Sequence, residues 1–111
     1  MSAEREVTPP PHVLQLLDPD EELRHQAPAK DLVLVLTDRR LVVADDDRVT
    51  LDIPYPRLRR VQLDVERSRP ATLVLVPESP EDEPQVLAIP HADLERAASA
   101  VAMIGRRLDD G

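Results

Sequence analysis

The chain has 111 residues, no cysteine, a single tyrosine as its only aromatic residue, and a formal net charge of −8. A domain of this size hides about 65% of its unfolded surface, so there is no room for a second domain, and the core has to be built from Leu, Val, Ile and Ala. The missing cysteines exclude disulfides and thiol catalysis, and the acidic excess repels nucleic-acid phosphates, which argues against a nucleic-acid partner.

The longest uninterrupted apolar runs are five residues, against roughly 20 for a helix that spans a bilayer. The first residues, MSAEREVTPPP, lack the basic-then-apolar order of a secretion signal. The expectation is a cytoplasmic protein that is not transmembrane.

Met1 to Pro11 is polar, ends in three consecutive prolines and has no apolar periodicity, so residues 1–11 are expected to be a flexible tail ahead of a domain at 12–108. His12 to Leu17 suits a short helical turn that stops at Asp18-Pro19, because the residue before a proline is pushed out of the helical region. Glu22 to Ala27 reads as a first strand, with Leu23, His25 and Ala27 on one face. Pro28 to Asp31 turns the chain. Leu32–Leu36 and Leu41–Ala44 then form a hairpin across Thr37-Asp38-Arg39-Arg40, which has the length and the Asp of a tight antiparallel link. Asp45, Asp46 and Asp47 make the next turn. Val49, Leu51 and Ile53 alternate with polar residues in a half-buried strand that ends at Pro54.

Tyr55 to Leu58 is a corner, and Val61, Leu63 and Val65 follow with the period-two alternation of a strand with one core face. Arg67 to Pro70 turns into a strand at Ala71–Val76. Pro77 to Pro84 is a charged loop, and Gln85–Ile89 is the last strand. From Ala92 to Leu108 the period becomes helical, with Leu94, Ala97, Ala98, Val101, Ile104, Gly105 and Leu108 on one stripe. Ala98, Ala102 and Gly105 are small enough for the helix to lie close to a sheet, and Arg106 and Arg107 complement the helix dipole at its C-terminal end. Residues 109–111 are expected to fray. The fold class is mainly β (α+β): about seven antiparallel strands and one C-terminal helix.

No combination of residues calls for catalysis, a metal or a cofactor. Ser2, Ser68 and Ser79 lie in the tail or in loops, and Ser99 lies in the helix with no adjacent histidine to act as base. His12, His25 and His91 lack the i, i+4 partner of a helical metal site and read as structural. Asp45, Asp46 and Asp47 are adjacent rather than alternating, as a solvated turn needs and a calcium loop does not. The two glycines, Gly105 and Gly111, cannot build a phosphate-cradling loop. The chain is therefore read as a non-enzyme. One segment has a functional reading: Arg57, Arg59, Arg60, Arg67 and Arg69 against Asp64 and Glu66 give 5 − 2 = +3 in an otherwise acidic chain. These five arginines are the candidate partner contact. No aromatic residue interleaves with them, so base stacking has no platform.

Three motifs in this order and spacing resemble the bacterial pleckstrin-homology-like domains and their GRAM relatives. They are Leu16-Leu17-Asp18-Pro19-Asp20-Glu21-Glu22 ahead of the first strand, Leu36-Thr37-Asp38-Arg39-Arg40-Leu41 at the hairpin, and Ile53-Pro54 before the fifth strand. The resemblance covers roughly Leu16 to Leu108. It implies a strongly bent sandwich or barrel with the helix plugging one end, a scaffold that binds proteins or lipids. Relatives that bind phosphoinositides use basic residues around the loop after strand one, where this chain has only Arg24 and Lys30 beside Glu21, Glu22 and Asp31. The leading expectation is therefore a binding or assembly module that contacts a protein partner or a second copy of itself, through a strand edge or the groove beside the helix. The second is a peripheral membrane adaptor that holds anionic lipid through Arg57–Arg69. The third is a small ligand-carrying or hydrolytic domain with a pocket between sheet and helix.

Overall fold

The fold was obtained as a computed structural model that describes residues 9–110. Most of the tail expected at residues 1–11 lies outside the described residues. Within them, Pro9 is buried and Pro11 opens a short helix, α1 (Pro11–Leu16), at the first helical position, where the missing N–H costs nothing. Two antiparallel sheets follow. The first is β1 (Leu23–Ala29), β2 (Leu32–Thr37), β3 (Arg40–Ala44) and β4 (Val49–Pro54), in that spatial order. A 3-10 turn at Tyr55–Arg57 carries the chain into the second sheet, made of β5 (Leu58–Asp64), β6 (Ala71–Pro77) and β7 (Gln85–Ile89). A second 3-10 turn, His91–Asp93, leads into α2 (Leu94–Asp110). This is the seven-strand, one-cap order read from the residue pattern.

The inner faces of both sheets and one face of α2 share a single aliphatic core that includes Leu34, Leu36, Leu41, Leu73, Leu75, Leu87 and Ile104. The β2–β3 hairpin is buried on its other face as well. There Val35, Val42 and Ala44 pack beneath Val13 of α1. Burial on both faces explains why LVLVL and LVVA are unbroken apolar runs, since a strand with one wet face would alternate. The backbone N–H of Lys30 donates to the carbonyl of Ala88 at 2.8 Å and joins the β1–β2 turn to β7. Asp31 takes φ 62 in that turn, a left-handed conformation that Asp tolerates better than most residues. α2 packs across β1 and β5.

Three expectations about faces are corrected. Leu23 does not share the core face with Ala27 and is exposed, because the β1–β2 register shifts between Leu23 and His25 and the extra residue re-aims the strand's start. Val65 is exposed because pairing of β5 with β6 ends at Asp64. The buried stripe of α2 runs through Ala97, Ala100 and Ile104, while Ala98 and Ala102 face water and a Cβ added at Gly105 would meet nothing within 4 Å. Leu94, Ala97, Val101, Ile104 and Leu108 keep the expected face, which is shifted toward Ala100 and away from Ala98, and Ala97 and Ala100 provide the close approach.

Two of the three histidines tie elements together. His25 Nε2 donates to the Arg96 carbonyl at 2.9 Å and fastens β1 to α2. His91 Nε2 reaches the Arg69 carbonyl at 2.6 Å and anchors the chain ahead of α2 to the β5–β6 loop. Asp45 Oδ1 accepts the N–H groups of Asp47 and Arg48, both at 2.8 Å. It thus closes its own turn, and those two bonds are the first reason its carboxyl sits below the ordinary carboxylate range.

Candidate functional site, a basic corner around Tyr55

The hairpin tip Thr37-Asp38-Arg39-Arg40 carries two of the chain's arginines, and both are engaged in holding the fold. Thr37, 1% exposed, accepts the N–H groups of Arg39 and Arg40 on Oγ1, each at 3.0 Å, and donates its hydroxyl to Glu21 at 2.6 Å. Arg40 grips the Glu21 carboxylate with a two-pronged pair, Nε and Nη2 each at 2.9 Å. Arg39 is taken up by Asp20 at 2.7 Å and Asp18 at 3.1 Å. Asp38 is held at both ends, its carboxylate by the Glu22 N–H at 2.9 Å and its own N–H by the Glu22 carbonyl at 3.0 Å. Burial pushes the Glu21 carboxyl up, but the Thr37 hydroxyl, the Asp18 amide and the Arg40 guanidinium outweigh it and leave the group below its ordinary value. The LTDRRL stretch and the acidic segment before β1 are therefore two halves of one clamp.

Tyr55 sits behind that clamp, 6% exposed, with its hydroxyl donating to the Thr37 carbonyl at 2.7 Å. Burial is the main cause that pushes the phenol up to about 12, and nearby Asp38 and Glu21 add to it, while Arg107 works in the opposite sense. The Arg107 guanidinium lies over the ring, 5.4 Å from its centroid, in a cation–π contact. The outer side of the tyrosine is flanked by two hollows. One, about 380 Å³, is lined by Arg24, Thr37, Tyr55, Met103, Arg106 and Arg107. The other, about 250 Å³, is lined by Tyr55, Pro56, Leu58, Arg59, Arg107 and Leu108. They share Tyr55 and Arg107, and between them they are lined by four arginines, Arg24, Arg59, Arg106 and Arg107.

All five arginines of the sequence-derived contact are exposed. β5 divides them. Arg57, Arg59 and Arg60 stand at its start and Arg67 and Arg69 beyond its end, apart by about the length of a seven-residue strand, some 20 Å at ~3.3 Å per residue. Arg69 leans on Glu66 at 3.6 Å. Arg59 reaches the cleft, and Arg57 lines a different hollow between β4 and the β6–β7 loop, beside Asp82 and Glu83. Sequence reasoning missed Arg24, Arg106 and Arg107 as site residues. Arg106 and Arg107 were read as complements of the helix dipole, which they also are. A hint was available in the chain's only aromatic residue lying next to the basic corner, because an aromatic face is a surface on which arginines gather.

With antiparallel sheets of four and three strands and a C-terminal helix packed across β1 and β5, the chain has the pleckstrin-homology fold. It is similar to the crystal structure of a pleckstrin homology domain from Shewanella amazonensis SB2B, with a TM-score of 0.63 and 22% sequence identity over 84% of this chain and 91% of that one. No family model matches the chain, and no curated protein matches it. Among the described residues, no helix is long and apolar enough to cross a membrane.

Proposed function

We propose that this chain is a non-enzymatic binding module that recognises a protein partner or a second copy of itself by acidic groups, using the basic corner at the start of β5 and the end of α2. One observation carries this reading. Among the described residues, Arg57, Arg59, Arg60, Arg106 and Arg107 have no ion pair, and five of the seven such arginines are these, the others being Arg67 and Arg96; Arg24, Arg39, Arg40, Arg48 and Arg69 each have one. Guanidinium groups without an ion pair among the described residues, gathered at one corner of a chain of net charge −8, are the surface that supports this reading.

The test pairs light scattering on the purified chain with affinity capture from the source cell, using wild type and a charge-reversed Arg57→Glu, Arg59→Glu, Arg60→Glu variant. Wild type should self-associate or retain a partner, and the variant should lose it. A strict monomer that captures nothing would overturn the reading. The second reading, a peripheral membrane adaptor working through Arg57–Arg69, draws on the exposure of those five arginines. Sedimentation with strongly anionic vesicles at low salt decides it, and an empty pellet removes it.

A further inference from the structure

The basic corner is a shaped cleft rather than a flat patch. Its two hollows differ in chemistry. The larger places Arg24, Arg106 and Arg107 around a floor of Tyr55 and Met103. The smaller has apolar walls, Pro56, Leu58 and Leu108, with Arg59 and Arg107 at its rim. Arg107 is the wall between them and is held over the Tyr55 ring. The acidic groups nearest the floor are already occupied, Glu21 by Arg40 and Thr37, and Asp38 by the Glu22 N–H. Neither is therefore paired with a guanidinium group of the larger hollow. Among the described residues, Arg24 alone of the four has a carboxylate partner, Glu22 at 3.0 Å, and both of those side chains are about half exposed, so that pair exchanges at little cost.

We propose that this cleft takes an extended acidic peptide segment with an aliphatic side chain among its acids. One or two carboxylates would enter the Arg24–Arg106–Arg107 hollow, and the aliphatic side chain would rest on Pro56, Leu58 and Leu108. Charge complementarity selects acidic groups. The concavity and the apolar wall fit a peptide, because successive side chains of an extended segment can place a carboxylate in one hollow and an aliphatic group in its neighbour. Guanidinium forks match carboxylate geometry in a way an ammonium point charge does not, so the identity of these cations matters as well as their sign.

This inference rests on the binding-module reading above, and its test is separate. A fluorescein-labelled peptide of sequence DELDEL is titrated into the full chain and followed by anisotropy, beside DEGDEG, which has the same charge and no aliphatic residue. Wild type should bind DELDEL, and DEGDEG several-fold more weakly. Arg106→Glu with Arg107→Glu should weaken binding at least tenfold, Arg24→Glu several-fold, and Arg67→Glu, beyond the far end of β5, by less than twofold. Arg107→Lys keeps the charge over Tyr55 and guards against misfolding, and it should still cost several-fold because the fork is lost. The inference is overturned if wild type does not bind DELDEL, if charge reversal at 106 and 107 leaves binding unchanged, or if phosphatidylglycerol vesicles bind and displace the peptide while DELDEL and DEGDEG bind alike. A partner captured from the cell that survives reversal at 106 and 107 would remove the cleft and leave the module reading standing. Capture of nothing, with the peptide still bound in the cleft, would leave the cleft standing and remove the claim of a protein partner in the source cell.

Discussion

Replacing Arg40 with methionine tests whether the hairpin signature is a structural clamp. The Glu21 side chain is 0% exposed and the Arg40 side chain 19%, so Arg40→Met leaves a carboxylate shielded from water without its counter-charge. Removing one partner of a buried pair costs about 3–5 kcal/mol. The partial exposure of Arg40 lets water reach the site, which places the expected loss near the lower end, ~3 kcal/mol. Urea unfolding followed by the fluorescence of Tyr55, the chain's only aromatic residue, measures it. With a slope of ~1.5 kcal/mol per molar urea, the midpoint falls by about 2 M. The double variant Arg40→Met, Glu21→Gln should recover ~1–2 kcal/mol of that loss, because the group left behind is neutral and can still accept from Thr37. Acid gives an independent check. In wild type the Glu21 carboxyl lies below its ordinary value of 4.5, so its contribution is present above that pH and is lost as pH falls through the folded-state value. In Arg40→Met the Thr37 hydroxyl and the Asp18 amide still oppose burial, so the carboxyl rises only by what Arg40 contributed; less stability is then lost in acid, and the two stability curves converge as pH drops. A loss below ~0.5 kcal/mol for Arg40→Met, or a double variant as unstable as the sum of the singles, would refute the clamp.

Two further outcomes follow from local geometry. Tyr55 should titrate near 12 in an ultraviolet difference titration of the folded chain and near its ordinary value of about 10 in urea; since the folded value is the raised one, this contribution is complete below pH 10 and is lost as pH climbs to about 12, a decline of roughly 2–3 kcal/mol. An ordinary midpoint in the folded chain would show that the phenol is not sealed against the Thr37 carbonyl. Gly105→Ala should stabilise the chain by about 0.5–1 kcal/mol, read as a rise in melting temperature, because the added Cβ meets nothing within 4 Å and the helix gains propensity. A destabilised variant would mean that α2 packs closer at Gly105 than its geometry indicates.

Strand order was legible because it is written in local periodicity. Val49, Leu51 and Ile53 alternate as a half-buried strand does, and the continuous runs of β2 and β3 signal burial on two faces. What was not legible depends on a single residue's offset. One extra residue near Arg24 moves Leu23 from core to solvent, and a small offset of helical phase exchanges Ala98 for Ala100. Neither offset changes composition or period. The cleft was hidden for a different reason: Arg24, Arg59, Arg106 and Arg107 lie up to 83 positions apart (107 − 24), and they meet because α2 crosses both β1 and β5. A window along the chain sees Arg57 to Arg69 as one cluster, although a strand separates its ends, and sees Arg106 and Arg107 only as the close of a helix.

Net charge and local charge place opposite demands on a partner. A body of charge −8 repels an acidic protein at long range, and the repulsion is screened beyond about 8 Å at physiological ionic strength. The cleft attracts only inside that distance. A wholly acidic surface would feel both effects, so added salt would first help its association by screening the bodies and then hinder it by screening the cleft. A short acidic segment carried on a near-neutral partner would feel mainly the cleft, and its affinity would fall steadily with salt. The apolar wall of Pro56, Leu58 and Leu108 contributes a part that salt does not screen, which favours the segment, because a flat acidic face cannot reach that wall without first bringing two acidic bodies together.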